Sequence, residues 1–384
     1  MVEPGKLIEA NSTGDRPTYS RRHMLTVAAA GAVSLTGQFG TRASEDRETI
    51  VDQILEEMPL KKRIAQLFIF QAQGAVMTPY FESLLKDVHP GGIIFVQPNI
   101  GSPAQIKTFV SEIHRSNRAL PPLISIDQEG GNVIRLAGDP APGALDLGRL
   151  SYDDVREKSK QRSDFLSGFG FDVNFAPVAD VAYNASSTMY LRSFGNDPEV
   201  VADKVKAVVR GARARHIMGA AKHFPGHGRT SVDSHYAIPT VDLSKKEWAR
   251  SDALPFKSAI GAGVEMVMVG HLKYTQWDDQ PMSLSRVSVD VLRNDFRFHG
   301  IIVTDDLGMG ALAGMPAFDV LDRALDAGMD ALLYTAPPAP WASMVDHVAD
   351  RVKSGAVSRS RIDESVRRLL RVKVDHFGIE GKAL

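Results

Sequence analysis

Fourteen consecutive positions, Lys222 to His235, read KHFPGHGRTSVDSH and gather three histidines, a lysine and an aspartate. Pro225, Gly226 and Gly228 keep the segment out of regular structure, which places these titratable groups on a loop, where catalytic residues concentrate. Two chemistries are open to such a set. His223, His227, Asp233 and His235 could ligate zinc or another divalent ion and serve a metal-dependent hydrolase. The spacing speaks against that, because no HExxH or H-x-H pair supplies a rigid ligand set and the glycines leave the loop poorly preorganised. Alternatively, the loop supplies a general acid/base, since a carboxylate that bonds one nitrogen of a histidine ring fixes its tautomer and stabilises the imidazolium. An ordinary histidine pKa of about 6.5 lets the ring hold either proton state near neutrality.

Composition narrows the partners. The chain has 384 residues, a net charge of -1 and 43% hydrophobic residues, with no long block of like charge. That balance suits a globular protein acting on small, near-neutral substrates and argues against nucleic acid. Cysteine is absent, which excludes a thiol nucleophile, disulfides, cysteine-ligated zinc and iron–sulfur clusters. Ser20-Arg21-Arg22-His23-Met24-Leu25, an apolar run to about Gly37 and then Arg42-Ala43-Ser44 resemble a twin-arginine export signal. The other reading is a plain basic extension. The run is too short and weakly apolar for a stable membrane span. Residues 1–45 are therefore expected to be an export segment, disordered or cleaved, and 46–384 the catalytic domain. The expected location is periplasmic or secreted, or cytoplasmic if the signal does not function. No heptad or exposed apolar stripe sets an oligomeric state.

The elements that must position the loop follow a regular beat. Short, continuous apolar runs alternate with helical patterns, as in parallel strands buried on both faces. The expected strands are Leu67–Gln71, Gly92–Val96, Leu123–Asp127, Val173–Pro177, Ala220–His223, Met266–Gly270, Ile301–Asp305 and Ala331–Tyr334. Helices lead in around Thr49–Gln66, and others start at Ser151 with Asp154, at Asp197 before Pro198, and at a Ser244/Glu247 capping box. After Val201, the residues Val205, Val208, Val209 and Ala212 form one apolar face. Gly170-Phe171-Asp172, Gly263-Val264-Glu265 and Gly328-Met329-Asp330 each set a glycine, then an acid, before a strand. Eight strands predict an α/β fold, a single-domain (β/α)8 TIM-type barrel of roughly 250 residues plus enlarged loops. An open doubly wound sheet is second, since no glycine-rich phosphate fingerprint follows an early strand.

On such a barrel the active site lies at the C-terminal strand ends. There fall Asp127, Asp180, Lys222 with His223, His271, and Asp305 with Asp306. Asp180 and Asp306 are assigned mainly to capping or pairing. Lys222 and His223 suit hydroxyl recognition, since both donate hydrogen bonds; the other reading pairs them with a strand-end acid. His227 is expected to hold its turn, and His271 either lines the pocket or fills the barrel top.

IDQEGG, FAPVADV, RSFG, KHFPGHG with the following DSH, and IIVTDDLGM together resemble the family 3 glycoside hydrolases. Within them the likeness is to β-N-acetylglucosaminidases of the cell-wall recycling type, over about Gln53 to Phe377. The family's β-glucosidases keep the lysine–histidine pair but lack the DSH loop, and usually add a second α/β domain. The resemblance implies retaining, exo-acting hydrolysis of terminal β-linked N-acetylhexosamine from peptidoglycan fragments or chitin-type oligosaccharides. It implies Asp305 as nucleophile and His235 as general acid/base, with Asp233 orienting and polarising His235. Asp127, Arg135, Arg192, Lys222 and His223 would contact the terminal N-acetylglucosamine, with no cofactor and no metal. Where the family usually reads GGRV, this chain has Gly131-Asn132-Val133, which touches the loop geometry or a peripheral contact rather than the nucleophile. Two further readings stand beside hydrolysis. A neutral base repels phosphate less than a carboxylate would, which opens phosphorolysis by the same site. A non-catalytic sugar-binding protein is the other.

Overall fold

The computed structural model of the protein describes residues 36–380, with side chains from residue 45 onward. Arg21, Arg22 and most of the apolar run behind them lie outside the described residues. The chain divides into two units, Met1–Ala43 and Ser44–Leu384. Of the first, only the opening of the helix Thr36–Glu57 is described.

In the second unit eight parallel strands form one sheet: β1 (Phe68–Gln71), β2 (Gly92–Phe95), β3 (Leu123–Ile126), β4 (Val173–Asn174), β5 (Met218–Phe224), β6 (Met266–Val269), β7 (Ile301–Thr304) and β8 (Leu332–Tyr334). From β1 to β7 each strand pairs with its successor, and β1 also pairs with β8. A parallel bridge between Val303 and Ala331, with Thr304 N–H donating to Ala331 O at 3.0 Å, completes the circle. Strict sequential order and closure make this the expected (β/α)8 barrel and exclude the doubly wound sheet, whose strand order reverses.

All eight expected strands are present, with shifted ends. β5 begins earlier, at Met218. β4 ends at Asn174, and Pro177 just beyond it has no N–H to offer the ladder; the chain still runs beside β5, with Ala220 N donating to Ala176 O (2.9 Å), Lys222 N to Pro177 O (3.1 Å) and a bridge from Val178 to Lys222. Ile69, Ile94, Val173, Met218, Met266 and Ile301 pack inside the barrel, while their strand neighbours such as Phe70, Ile93 and Ile302 pack outward with the helices. Both faces are dry, which is why the strands read as unbroken apolar runs. Leu369, on the last helix Arg359–Phe377, joins the interior cluster.

The helix starts behave as their sequences require. Ser151 Oγ accepts from Asp154 N, Asp197 Oδ1 accepts from Glu199 N ahead of Pro198, and Ser244 with Glu247 closes a capping box. In the helix Pro198–Arg213, Val201, Val205, Val209 and Ala212 are buried.

The glycine–acid repeat has a structural meaning. Gly170, Gly263 and Gly328 all have positive φ, at 90°, 87° and 107°, the conformation that ends a helix without steric cost only for glycine. The acid that follows reaches across to the preceding strand. Asp172 Oδ2 accepts from Ile124 N at 2.7 Å, Glu265 Oε2 from Gly219 N at 3.0 Å, and Asp330 Oδ2 from Ile302 N at 2.8 Å. β3 is thereby clasped to β4, β5 to β6 and β7 to β8.

Two more strands, Thr240–Val241 and Lys273–Tyr274, pair in parallel above the barrel. They tie the loop after β5 to the loop after β6, and at two residues each they leave no periodic trace in sequence.

Candidate active site

β3 delivers Asp127, Gln128 and Glu129 to the top of the barrel. Gln128 folds the following loop back over the strand: its Oε1 accepts from Arg135 N (2.8 Å) and Leu136 N (3.0 Å), and its Nε2 donates to Leu136 O (3.1 Å). Arg135 is thereby aimed at Asp127, with Nη2 and Oδ2 3.7 Å apart. Asn132 is exposed at the tip of the turn that joins Gly130 to Val133, so the departure from the family pattern falls on the rim of this loop.

The centre is a group of buried charges. Lys222, at the end of β5, has a side chain only 3% exposed and lies 2.7 Å from both Asp127 Oδ1 and Glu129 Oε1. Arg192 donates through Nε and Nη2 to the two oxygens of Glu129, at 2.9 and 2.7 Å. Burial alone would raise the Glu129 pKa, but Lys222 and Arg192 outweigh it and hold the carboxyl far below the usual range. Burial likewise works against the charged lysine, and Asp127 and Glu129 reverse it, so Lys222 stays a cation. The ion-pair reading of Lys222 is the one seen: its fixed ammonium stands at a strand end between two carboxylates.

His223 follows Lys222 through a cis peptide bond. Its Nδ1 donates to Asp180 Oδ2 at 2.7 Å, while Asp180 Oδ1 accepts from the backbone N–H groups of His223 (3.2 Å) and His227 (2.6 Å). Asp180 is fully buried; the charge and hydrogen bonds of His223 overcome that burial and keep its carboxyl ionised. Nε2 of His223 faces Arg192 Nη2 at 3.4 Å. Asp180 thus does pair, as assigned, and through that pairing it orients a candidate sugar contact.

Asp305 caps β7. Its N–H donates to Val269 O, and its Oδ1 accepts from Asp306 N at 2.9 Å. Burial raises its pKa, yet His223, His271, the Asp306 N–H and Lys222 together bring it below the ordinary value, so it is a carboxylate at neutral pH. Asp306 points away, accepting from Gly308 N (3.0 Å), Thr335 N (3.1 Å) and the Thr335 hydroxyl, which fixes the turn. His271 fills the barrel top: Nε2 donates to Asp306 O at 2.8 Å and Nδ1 accepts from Ser283 Oγ at 2.7 Å.

Asp233 and His235 meet as their spacing suggests. Asp233 Oδ1 accepts from the His235 ring Nδ1 at 2.7 Å and from its backbone N–H at 2.9 Å. Against the opposing effect of burial, these bonds hold the Asp233 carboxyl below its usual value. With Nδ1 committed as donor, Nε2 is the ring position left for proton exchange. The two side chains are 40% and 62% exposed.

The model of the glycosyl hydrolase family 3 N-terminal domain matches residues 59–372. The chain belongs to glycosyl hydrolase family 3. Among curated family 3 relatives, a beta-hexosaminidase of Nitrosospira multiformis is 32% identical over 283 residues, covering 70% of this chain and 80% of its own. The beta-hexosaminidase LpqI of Mycobacterium tuberculosis is 31% identical over 331 residues, 82% of each chain. Among solved structures, a glycoside hydrolase family 3 beta-N-acetylglucosaminidase from Paenibacillus sp. str. FPU-7 superposes with a TM-score of 0.80 at 32% identity. That match covers 85% of this chain but 64% of the Paenibacillus chain, less than two thirds of it.

Of the residues singled out from sequence in this family 3 chain, Asp127, Arg135, Arg192, Lys222 and His223 form one connected cluster. Asp233 and His235 form a separate pair on an exposed loop, and Asp305 lies within electrostatic reach of His223 and Lys222. Sequence reasoning passed over Glu129 and Gln128, although both stand inside the quoted DQEGG motif. Charge counting would have found Glu129, because Lys222, Arg192 and Arg135 are too many cations for Asp127 alone. As for a metal, His223, His227 and His235 are committed to Asp180, Ser234 and Asp233, and no set of three metal-ligating side chains converges among the described residues.

Proposed function

We propose that the protein is a retaining, exo-acting β-N-acetylglucosaminidase that removes terminal, non-reducing, β-linked N-acetylhexosamine. The observation that carries this reading is the Asp233–His235 pair, whose carboxylate holds Nδ1 and leaves Nε2 for proton exchange, in a chain that also sets an ionised carboxylate, Asp305, at a strand end. The relatives and the Paenibacillus structure, described as beta-hexosaminidases and a beta-N-acetylglucosaminidase, support the substrate class. Arg135, Asp127, Lys222, His223 and Arg192 bind the terminal sugar: the three carboxylate-paired cations donate to hydroxyls, and Asp127, the least buried acid of the cluster, accepts.

In the first step an Asp305 oxygen attacks the anomeric carbon as the C1–O bond to the aglycone breaks, and His235 Nε2–H gives its proton to the departing oxygen. The imidazole is left neutral, hydrogen-bonded to Asp233. In the second step it takes a proton from water as that water attacks C1, and Asp305 leaves as carboxylate. Phosphate could replace the water only by giving a sugar 1-phosphate.

Release of nitrophenol from β-N-acetylglucosaminide and β-glucoside substrates tests the assignment. Activity on the former and little on the latter is expected, with Asp305→Ala nearly inactive and His235→Ala reduced about 10²–10⁴-fold. Activity retained in Asp305→Ala but lost in Asp306→Ala would move the nucleophile. Product analysis in phosphate buffer separates free sugar, the expected product, from sugar 1-phosphate. Unchanged activity after chelation is expected, and its loss would revive the metal-dependent reading.

A further inference from the structure

Ser234 stands between Asp233 and His235 but faces the opposite way. Its neighbours' side chains reach solvent, whereas Ser234 is 5% exposed. Its hydroxyl shares a 3.1 Å hydrogen bond with His227 Nε2, and its carbonyl accepts from Ala311 N at 3.2 Å. His227 is itself buried and fixed through its backbone N–H to Asp180, the residue that orients His223.

The next carbonyl along, that of His235, rests on Gly310. A Cβ at Gly310 would lie 2.2 Å from His235 O and 3.5 Å from Tyr236 Cα, closer to the oxygen than real Cβ contacts come. Gly310 does not have a positive φ, so conformational freedom does not call for glycine here. Close approach does. Gly310 and Ala311 belong to the segment that leaves β7 just after Asp305. The backbone that carries the acid/base histidine is therefore seated, without an intervening side chain, on the backbone that carries the carboxylate.

We propose that Gly310 and Ser234 are positioning residues that set the height of the His235 imidazole over the sugar bound at Asp305. Their part is geometric: the glycine fixes how near the two backbones come, and the serine pins the segment from inside while Asp233 and His235 face the substrate. The inference rests on the Asp305 and His235 roles proposed above. Displacement of a reacting group by about 1 Å costs about 10²-fold, which is the scale such seating controls.

The test uses two substrates of the full chain. A disaccharide of N-acetylglucosamine has a leaving group that needs protonation; the 2,4-dinitrophenyl β-N-acetylglucosaminide does not. Gly310→Ala is expected to lower kcat/KM on the disaccharide about 10–100-fold while leaving kcat/KM on the dinitrophenyl substrate within about threefold. Azide, which attacks without base assistance, should raise kcat on the latter, and inhibition by N-acetylglucosamine should not change. Ser234→Ala, which introduces no clash, should show the same pattern more weakly, and Ser234→Thr should restore activity. Equal losses on both substrates, or no loss on either, overturn the proposal. His235→Ala is run in parallel. If it shows no dependence on leaving group, the acid/base reading fails and the positioning role with it; if it shows the dependence and Gly310→Ala does not, only the positioning role falls.

Discussion

Glu129 carries the heaviest electrostatic load in the site, neutralising Lys222 and Arg192 where water cannot. Glu129→Gln keeps the shape and removes the charge, leaving two buried cations to Asp127. Breaking a buried pair from one side costs about 3–5 kcal/mol. The expected result is a clear fall in the unfolding midpoint and a rise in KM larger than the fall in kcat, read by thermal melts and steady-state kinetics. A variant as stable and as active as the parent would show that the cations are compensated elsewhere. At this scale the sequence was legible where a residue acts through its neighbours in the chain: Asp233 and His235, two apart, do meet. It was less legible where partners come from different strands. Nothing local marks Asp180 as the orienter of His223, forty-three positions away, or Gly310 as the seat of His235.

Strands and helices were readable because burial on both faces writes itself as apolar runs, and all eight barrel strands appear. Their ends were not, since ends depend on individual ladder bonds such as the one Pro177 cannot make. The last helix also holds a residue that periodicity treats as ordinary. Lys373 is fully buried, with Nζ donating to Gln66 Oε1 at 2.7 Å, and burial pushes its amine down to about 7. The unfolded lysine titrates near 10.5, so between pH 7 and 10.5 only the unfolded chain binds this proton. Stability therefore rises with pH through that window, and the cost is complete below pH 7. Lys373→Met removes the cost, on the order of a few kcal/mol, and leaves the Gln66 oxygen unpaired at about 1–3 kcal/mol. The variant should be the more stable form at pH 6, with its advantage shrinking toward pH 10 in urea unfolding curves. A difference independent of pH would contradict this.

For the whole molecule, we propose that Ser20 to Leu25 direct export by the twin-arginine route, which carries folded proteins and would place a glycosidase among extracytoplasmic glycans. Arg21→Lys with Arg22→Lys should leave the enzyme inside the cell, as fractionation followed by the nitrophenyl assay would show; unchanged distribution would refute it. The exposed Tyr190, Leu191, Val232 and Tyr236 flank Arg192, Asp233 and His235 along the chain, so apolar surface is left open next to these residues. The three acid clasps set how the barrel yields. β1 and β2 are the only barrel strands outside a clasped pair, and Lys373 and Gln66 secure that sector from the last helix and the helix before β1. Every strand-end residue of the candidate site comes instead from β3 to β7. The clasped strands are expected to open last, so amide exchange in β1 and β2 should run ahead of exchange in β3 to β7.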